Sequence, residues 1–263
     1  MKFPIYQIDS FTDKILSGNP SAVIPLQTWL SDEIMQRIAA ENNLAETAFF
    51  VPVATGYHIR WFTPTVEVEL CGHATLAAAY VLYFIDQIEG DSINFESLSG
   101  PLLVTRSEDM LTLNFPVDQY QVSVPPPALT EALSPLVPVE VYKGKTDFMV
   151  VLDSEAEIRD LQLDIIILST IPARGVIFTA RGMDVDFVSR FFAPQSGVDE
   201  DPVTGSAHTT LAPYWALKLE KTRLTARQLS PRGGELICEI RNGRVLISGK
   251  SRLYLKGEIE LDD

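Results

Sequence analysis

The chain has 263 residues, 46% of them hydrophobic and 21% charged, with a mean hydropathy of +0.11: a composition for one large domain or two of about 130 residues, and not for a disordered segment. Lys and Arg number 21 against 35 Asp and Glu, and the net charge of −14, with no basic cluster to offset it, argues against nucleic-acid partners. No apolar run approaches the roughly 18 residues of a membrane span, and neither the two cysteines nor the three scattered histidines fit a disulfide framework or a structural zinc site.

In chain order, the N-terminal segment alternates like a strand and lacks the apolar stretch and cleavage site of a signal peptide, which predicts a cytoplasmic protein. Ser31 is an N-cap with Asp32 and Glu33 in the following turn, and Ile34, Ile38 and Leu44 mark an apolar stripe, so residues 32–43 read as a helix. Residues 47–53 and 57–62 read as strands of a hairpin turning at Ala54-Thr55-Gly56. The Ala- and Leu-rich run 72–84 is too long for a strand and reads as a buried helix. Short strands follow at 93–95, 102–105 and 111–115. Residues 116–127 end in three prolines and suit neither a central strand nor a helix interior, which marks an interdomain boundary. Residues 206–219 read as a second central helix, and 252–261 as a late strand able to return to the first domain.

Self-comparison reveals a duplication. Arg60-Trp61-Phe62-Thr63-Pro64 resembles Arg190-Phe191-Phe192-Ala193-Pro194, and His73-Ala74-Thr75-Leu76-Ala77 resembles His208-Thr209-Thr210-Leu211-Ala212. Upstream, Ala45 to Val51 aligns loosely with Ala173 to Thr179. Two homologous halves are expected, each with strands around one apolar helix.

The segments Asn43-Leu44-Ala45-Glu46-Thr47-Ala48-Phe49, Trp61-Phe62-Thr63-Pro64, Cys71-Gly72-His73-Ala74-Thr75-Leu76-Ala77, Asp201-Pro202-Val203-Thr204-Gly205-Ser206-Ala207 and Gln228-Leu229-Ser230-Pro231-Arg232-Gly233-Gly234 occur in this order. Together with Asp9-Ser10-Phe11 and Gly18-Asn19-Pro20 they resemble the phenazine biosynthesis PhzF-like family. The resemblance implies an α+β, diaminopimelate epimerase-like fold: two pseudo-symmetric domains, 1–115 and 128–251, each a mixed sheet wrapped around a central helix, with the active site in the cleft between them. It further implies a homodimeric isomerase that moves a proton on a small molecule without metal or organic cofactor.

Both central helices are expected to open beside a glycine, at Gly72-His73 and at Gly205-Ser206. Unpaired N–H groups and the positive dipole ends there suit a carboxylate or developing enolate, so Gly72, Gly205 and Ser206 are candidate substrate-binding residues; the plainer alternative is that the glycines only open helices. Glu46 stands at the head of an otherwise apolar strand, where a carboxylate is costly unless used or paired. On its surroundings alone it could be a solvated helix-end residue; the resemblance matches it to the family's catalytic glutamate. Asp201, before Pro202, is an ordinary turn or cap residue by its spacing, and the resemblance makes it an active-site residue, contacting a polar substrate group or acting as a second acid/base. His73, at a helix N-terminus that disfavours the imidazolium, is expected to be neutral there, with a catalytic role by resemblance. His208, its repeat mate, is expected in the core.

Epimerase and racemase relatives use two opposed cysteines, and this chain has Cys71 but no cysteine in the second loop, so Cys71 reads as a small buried residue. The expected substrate is a small carboxylate, with neither nucleic acid nor membrane as partner. A racemase or epimerase dependent on Cys71 and a non-catalytic small-acid binding module are the alternative readings.

Overall fold

The computed structural model describes residues 1–262. The chain divides into two compact units, unit 1 comprising Met1–Asn114 and the segment from Ser248 onward, unit 2 comprising Phe115–Ile247.

In unit 1 the order is β1 (Lys2–Ser10), β2 (Asn19–Pro25), α1 (Asp32–Asn42), β3 (Glu46–Val53), β4 (Gly56–Phe62), β5 (Glu67–Val68), α2 (Gly72–Tyr80), β6 (Ser92–Glu96), β7 (Leu102–Ser107) and β8 (Met110–Pro116). β1 and β2 pair antiparallel, β2 and β3 parallel, β3 with β4 and β4 with β5 antiparallel, and β4 with β6 parallel. β6–β7 and β7–β8 complete an antiparallel meander. The sequence cap is real: the Ser31 side chain accepts from the Ile34 N–H, and the helix closes at Asn43 in the left-handed region, φ 48°. α1 seals one side through Met35, Ile38 and Ala39, packed with Ile24, Phe49 and Phe62.

α2 is apolar all round, and every residue from Gly72 to Ala79 is buried. Such a helix survives only where sheet surrounds it; α2 lies against β1, β2 and β3. The α geometry ends earlier than the sequence predicts. From Val81 to Ile85 the chain widens into a π turn, in which the Asp86 N–H bonds the Val81 carbonyl five residues back.

Unit 2 comprises β9 (Gln121–Val122), α3 (Pro127–Leu133), β10 (Glu140–Lys143), β11 (Phe148–Val151), α4 (Glu155–Arg159), α5 (Ile165–Leu168), β12 (Val176–Arg181), β13 (Phe187–Ala193), β14 (Val198–Asp201), α6 (His208–Leu219), β15 (Arg223–Gln228), β16 (Gly234–Arg241) and the first four residues of β17 (Arg244–Gly249), whose last two belong to unit 1. β18 (Ser251–Glu260) then pairs antiparallel with β1, from Lys2↔Glu260 to Ser10↔Ser251. The proline-bearing stretch is held rather than loose. Val117 N–H bonds the Gly243 carbonyl, β9 pairs with β10, and α3 takes Pro127 at its first position, where no N–H is needed.

The pairings of unit 2 repeat those of unit 1: β10–β11 antiparallel, β11–β12 parallel, β12–β13 and β13–β14 antiparallel, β13–β15 parallel, β15–β16 antiparallel. Strand register also corrects the upstream alignment of the repeat. Thr47 pairs with Phe62, and Val176 with Phe192; Thr47 therefore corresponds to Val176, one residue off the sequence match. A one-residue slip in a strand exchanges its two faces, and the loose apolar match could not detect it.

α6 begins at His208, not at Ser206. The N–H groups of His208, Thr209 and Thr210 bond the carbonyls of Gly205, Ser206 and Ala207, three residues back, before Leu211 makes the first four-residue bond to Ala207. Gly205 to Ala207 thus wind as a tighter turn leading into the helix. Pro213, inside α6, cannot donate to the Thr209 carbonyl, and the Asp118 N–H bonds that carbonyl instead, at 3.2 Å. Among the described residues no helix is long and apolar enough to cross a membrane.

Candidate active site

In unit 1 three side chains converge where β3 starts and α2 begins. Glu46 is the first residue of β3, paired across to Ser21 of β2, and its side chain is 17% exposed. His73 is the second residue of α2, 5% exposed, with Nε2 3.0 Å from Glu46 Oε2. Cys71, the N-cap residue of α2, places Sγ 3.6 Å from His73 Nδ1 and 4.0 Å from Nε2. Gly72 is buried between them.

His73 is fixed from behind by β1 and β2. Ser10 donates from Oγ to the His73 carbonyl at 2.9 Å, and the Asn19 amide nitrogen lies 3.2 Å from His73 Nδ1. The Asn19 carboxamide suits either protonation state of that nitrogen, donating through its NH₂ group or, with the amide turned over, accepting through its oxygen. Gly18 enables the approach. Its φ is +67°, and a Cβ there would stand 2.2 Å from the Ser10 carbonyl oxygen, so another residue would push β2 and Asn19 off register.

The electrostatics reverse one expectation. Burial works against the His73 imidazolium, but the Glu46 carboxylate beside Nε2 outweighs it and holds the His73 pKa well above its ordinary value. The helix N-terminus alone predicts a neutral ring, and a carboxylate 3.0 Å away overrides it. Burial, reinforced by the Glu46 charge, pushes the Cys71 thiol up to about 11, so it stays protonated near neutrality.

Glu46, Cys71 and His73 also supply three donor atoms lying within 4.8 Å of one another. The Cys71 sulfur lies 4.0 Å and the Glu46 carboxylate oxygen 3.0 Å from His73 Nε2, so the three side chains crowd one small polar site.

In unit 2 the predicted residues Asp201, Gly205 and Ser206 occupy the end of β14 and the turn before α6. The Asp201 carboxylate accepts from the Thr204 hydroxyl, and its backbone carbonyl accepts from Gln228 Nε2 at 2.7 Å. Gln228, fully buried, accepts from the Thr204 N–H at 2.9 Å and so ties β15 to this loop. Ser206 Oγ accepts from Arg174 Nη1 at 3.0 Å. His208 belongs to the core as expected: it is fully buried, Nδ1 lies 2.9 Å from the Thr204 carbonyl, and burial pushes its pKa down to about 4.

Sequence reasoning missed Asn19 and Arg174, and also a matched pair of ion forks. Arg60 donates from Nε and Nη2 to Glu67 at 2.7 Å each, across the β4–β5 hairpin. Arg190 donates from the same atoms to Glu200 at 2.6 and 2.8 Å, across β13–β14. Each guanidinium also lies over a phenyl ring, Phe62 at 5.2 Å and Phe192 at 5.0 Å. The arginines lie in the matched segments of the repeat; the acids, on the returning strands, lie outside them.

Residues 8–257 match the family model described as phenazine biosynthesis-like protein. The chain belongs to the PhzF-like family. An uncharacterized isomerase of Pseudomonas aeruginosa is 50% identical over 261 residues, covering 99% of this chain and 100% of the relative. The crystal structure of a PhzF-family phenazine biosynthesis protein from Enterococcus faecalis aligns with a TM-score of 0.96 at 44% identity, over 99% of this chain and 100% of that one. A hydroxyproline epimerase from Agrobacterium vitis, at 12% identity and a TM-score of 0.65 over 100% of this chain and 93% of its own, shares the fold. The α+β architecture of this PhzF-like chain is therefore that of the wider epimerase-like class.

Proposed function

We propose that this chain is a cofactor-independent isomerase that transfers a proton on a small carboxylated substrate, with Glu46 as the proton-transferring base and His73 as its partner. The observation that carries the reading is the 3.0 Å approach of His73 Nε2 to a mostly buried Glu46 carboxylate at the head of α2. The isomerase name of the Pseudomonas aeruginosa relative supports it.

In the proposed reaction one Glu46 oxygen removes a proton from a substrate carbon adjacent to the activating group, leaving the electron pair as an enolate. The other stays beside His73 Nε2, whose positive charge holds the carboxylate in place. The developing negative charge is met by the N–H groups opening α2 at Gly72 and His73. Return of the proton from Glu46 to a different carbon, or to the same carbon from its other face, completes an isomerisation with no net proton change. Asp201 is assigned a second acid/base role or a contact to a polar substrate group, and Gly205 and Ser206 a part in carboxylate binding, as the family resemblance implies. The chain is further proposed to act in the cytoplasm as a homodimer.

A mechanism resting on Cys71 is disfavoured by its protonated thiol and by the placement of Cys238, which is fully buried and pushed up to about 12. The test is a panel of aromatic and amino carboxylates incubated with wild type and Glu46→Gln and followed by NMR. Isomer formation by the wild type alone is expected; equal turnover by Glu46→Gln would overturn the assignment.

A further inference from the structure

Arg174 has no part in the mechanism above, yet it is the most constrained cation near the turn that leads into α6. Its Nε donates to Asp147 Oδ1 at 2.9 Å, Nη2 is bound to Asp147 Oδ2, and the Asp147 carboxylate is itself buried. The Phe191 ring lies 5.4 Å from the guanidinium carbon, and the Arg174 backbone N–H bonds the Thr146 carbonyl at 3.0 Å. The fork is fixed in plane by Asp147, and in that plane Nη1 points to Ser206 Oγ, 3.0 Å away.

The chemistry of that last bond is one-sided. A guanidinium has no acceptor, so Ser206 must accept there, and the hydroxyl's own hydrogen is directed elsewhere. Among the described residues that hydrogen has no protein acceptor, and Ser206 is half-exposed in the turn beside Gly205. A hydroxyl that accepts from a cation is a polarised and therefore stronger donor. The clamp also belongs to one half only. With Thr47 corresponding to Val176 in the strand register, the position of Arg174 is occupied in unit 1 by Ala45.

We propose that Arg174 is a positioning residue: locked by Asp147, it turns the Ser206 hydroxyl so that its hydrogen is offered to the carboxylate of the substrate. The proposal rests on the reading of this chain as an enzyme of small carboxylates. It differs from direct ion pairing by one of the two Nη hydrogens left over from these three bonds, a contact that Ser206→Ala would leave intact.

The test uses benzoate as the carboxylate probe and benzamide as its uncharged control, titrated calorimetrically into wild type, Arg174→Lys, Ser206→Ala and the double variant. Asp147→Asn, which keeps the shape of the clamp and loosens it, is the second probe of Arg174. Benzoate is expected to bind the wild type in preference to benzamide, and Ser206→Ala to weaken benzoate about tenfold, the scale of one hydrogen bond to a charged group. Arg174→Lys, which keeps the charge and loses the fork, is expected to give the same loss, with none added in the Ser206→Ala background. Asp147→Asn is expected to weaken benzoate in the same sense. Retained affinity in Arg174→Lys would show that charge alone acts, and full additivity in the double variant would show that Arg174 does not act through Ser206. Either result overturns the proposal, as does wild type that fails to prefer benzoate. A fall in melting temperature with unchanged benzoate affinity would make the clamp structural and overturn it equally. None of these outcomes depends on Glu46, so proton transfer by Glu46 can stand or fall separately.

Discussion

Glu200→Gln and Glu67→Gln are the same change made at equivalent places in the two halves, and the structure predicts unequal costs. Arg190 is 11% exposed and Glu200 17%. Besides the two bonds to Glu200, the Arg190 guanidinium donates to the Leu161 carbonyl at 2.8 Å and more weakly to that of Ile158 at 3.4 Å, so Glu200 is its one charged partner among the described residues. Removing the partner of a buried ion costs about 3–5 kcal/mol. Partial exposure and the acceptor oxygen retained by glutamine reduce this to about 2 kcal/mol, equivalent to a melting-temperature loss of about 4–8 °C for a chain of this size. Arg60 keeps a second carboxylate, Asp32, at 2.8 Å when Glu67 is changed, and the Glu67 side chain is 24% exposed. Its loss should therefore be near 1 kcal/mol, as for a partly screened pair. Urea and thermal unfolding of the two variants at pH 7 measure the difference directly. Equal losses, or a larger loss for Glu67→Gln, would refute the reasoning that the uncompensated cation sets the cost. Because β14 carries Glu200 next to Asp201, Glu200→Gln should also loosen that candidate site residue.

His208 makes a pH prediction. Its folded pKa of about 4 lies below the unfolded value of about 6.5, so the neutral ring stabilises the fold above pH 6.5 and that contribution is lost as pH falls toward 4. The full loss is about 3 kcal/mol; His208→Gln should flatten this part of the stability curve, and parallel acid curves for wild type and variant would contradict it. His73 has the opposite sign: its raised pKa contributes stability below pH 6.5 that fades as pH climbs through the folded value, and Glu46→Gln should remove much of that alkaline loss. Cys71 and Cys238, pushed up to about 11 and about 12, should resist a thiol reagent at pH 8 in the native protein and react on unfolding; rapid native labelling of Cys71 would show that the thiol is neither buried nor protonated.

The parts of this molecule visible in the sequence are those written locally. Ser31 announced a cap, the apolar run after Gly72 announced a buried helix, and two Arg-aromatic segments announced the duplication, each within a dozen residues. What stayed hidden depends on distant partners. Asn19 and His73 meet from 54 positions apart, and Arg174 and Ser206 from 32. The charge of His73 was misread because a helix terminus is a local feature whereas Glu46 reaches the ring through the fold. The start of α6 was misplaced because both a tight turn and an α-helix satisfy the same short sequence, and the first carbonyl partners decide between them.

Deuterium transfer from solvent to substrate carbon tests Glu46 as the proton-transferring base most directly. With a turned-over carboxylate in D₂O, the wild type should place deuterium on carbon, Cys71→Ser should do so at a comparable rate, and Glu46→Gln should be slower by about 10² to 10⁴, the usual worth of a general base. Equal incorporation by wild type and Glu46→Gln, or its loss in Cys71→Ser alone, would contradict the account.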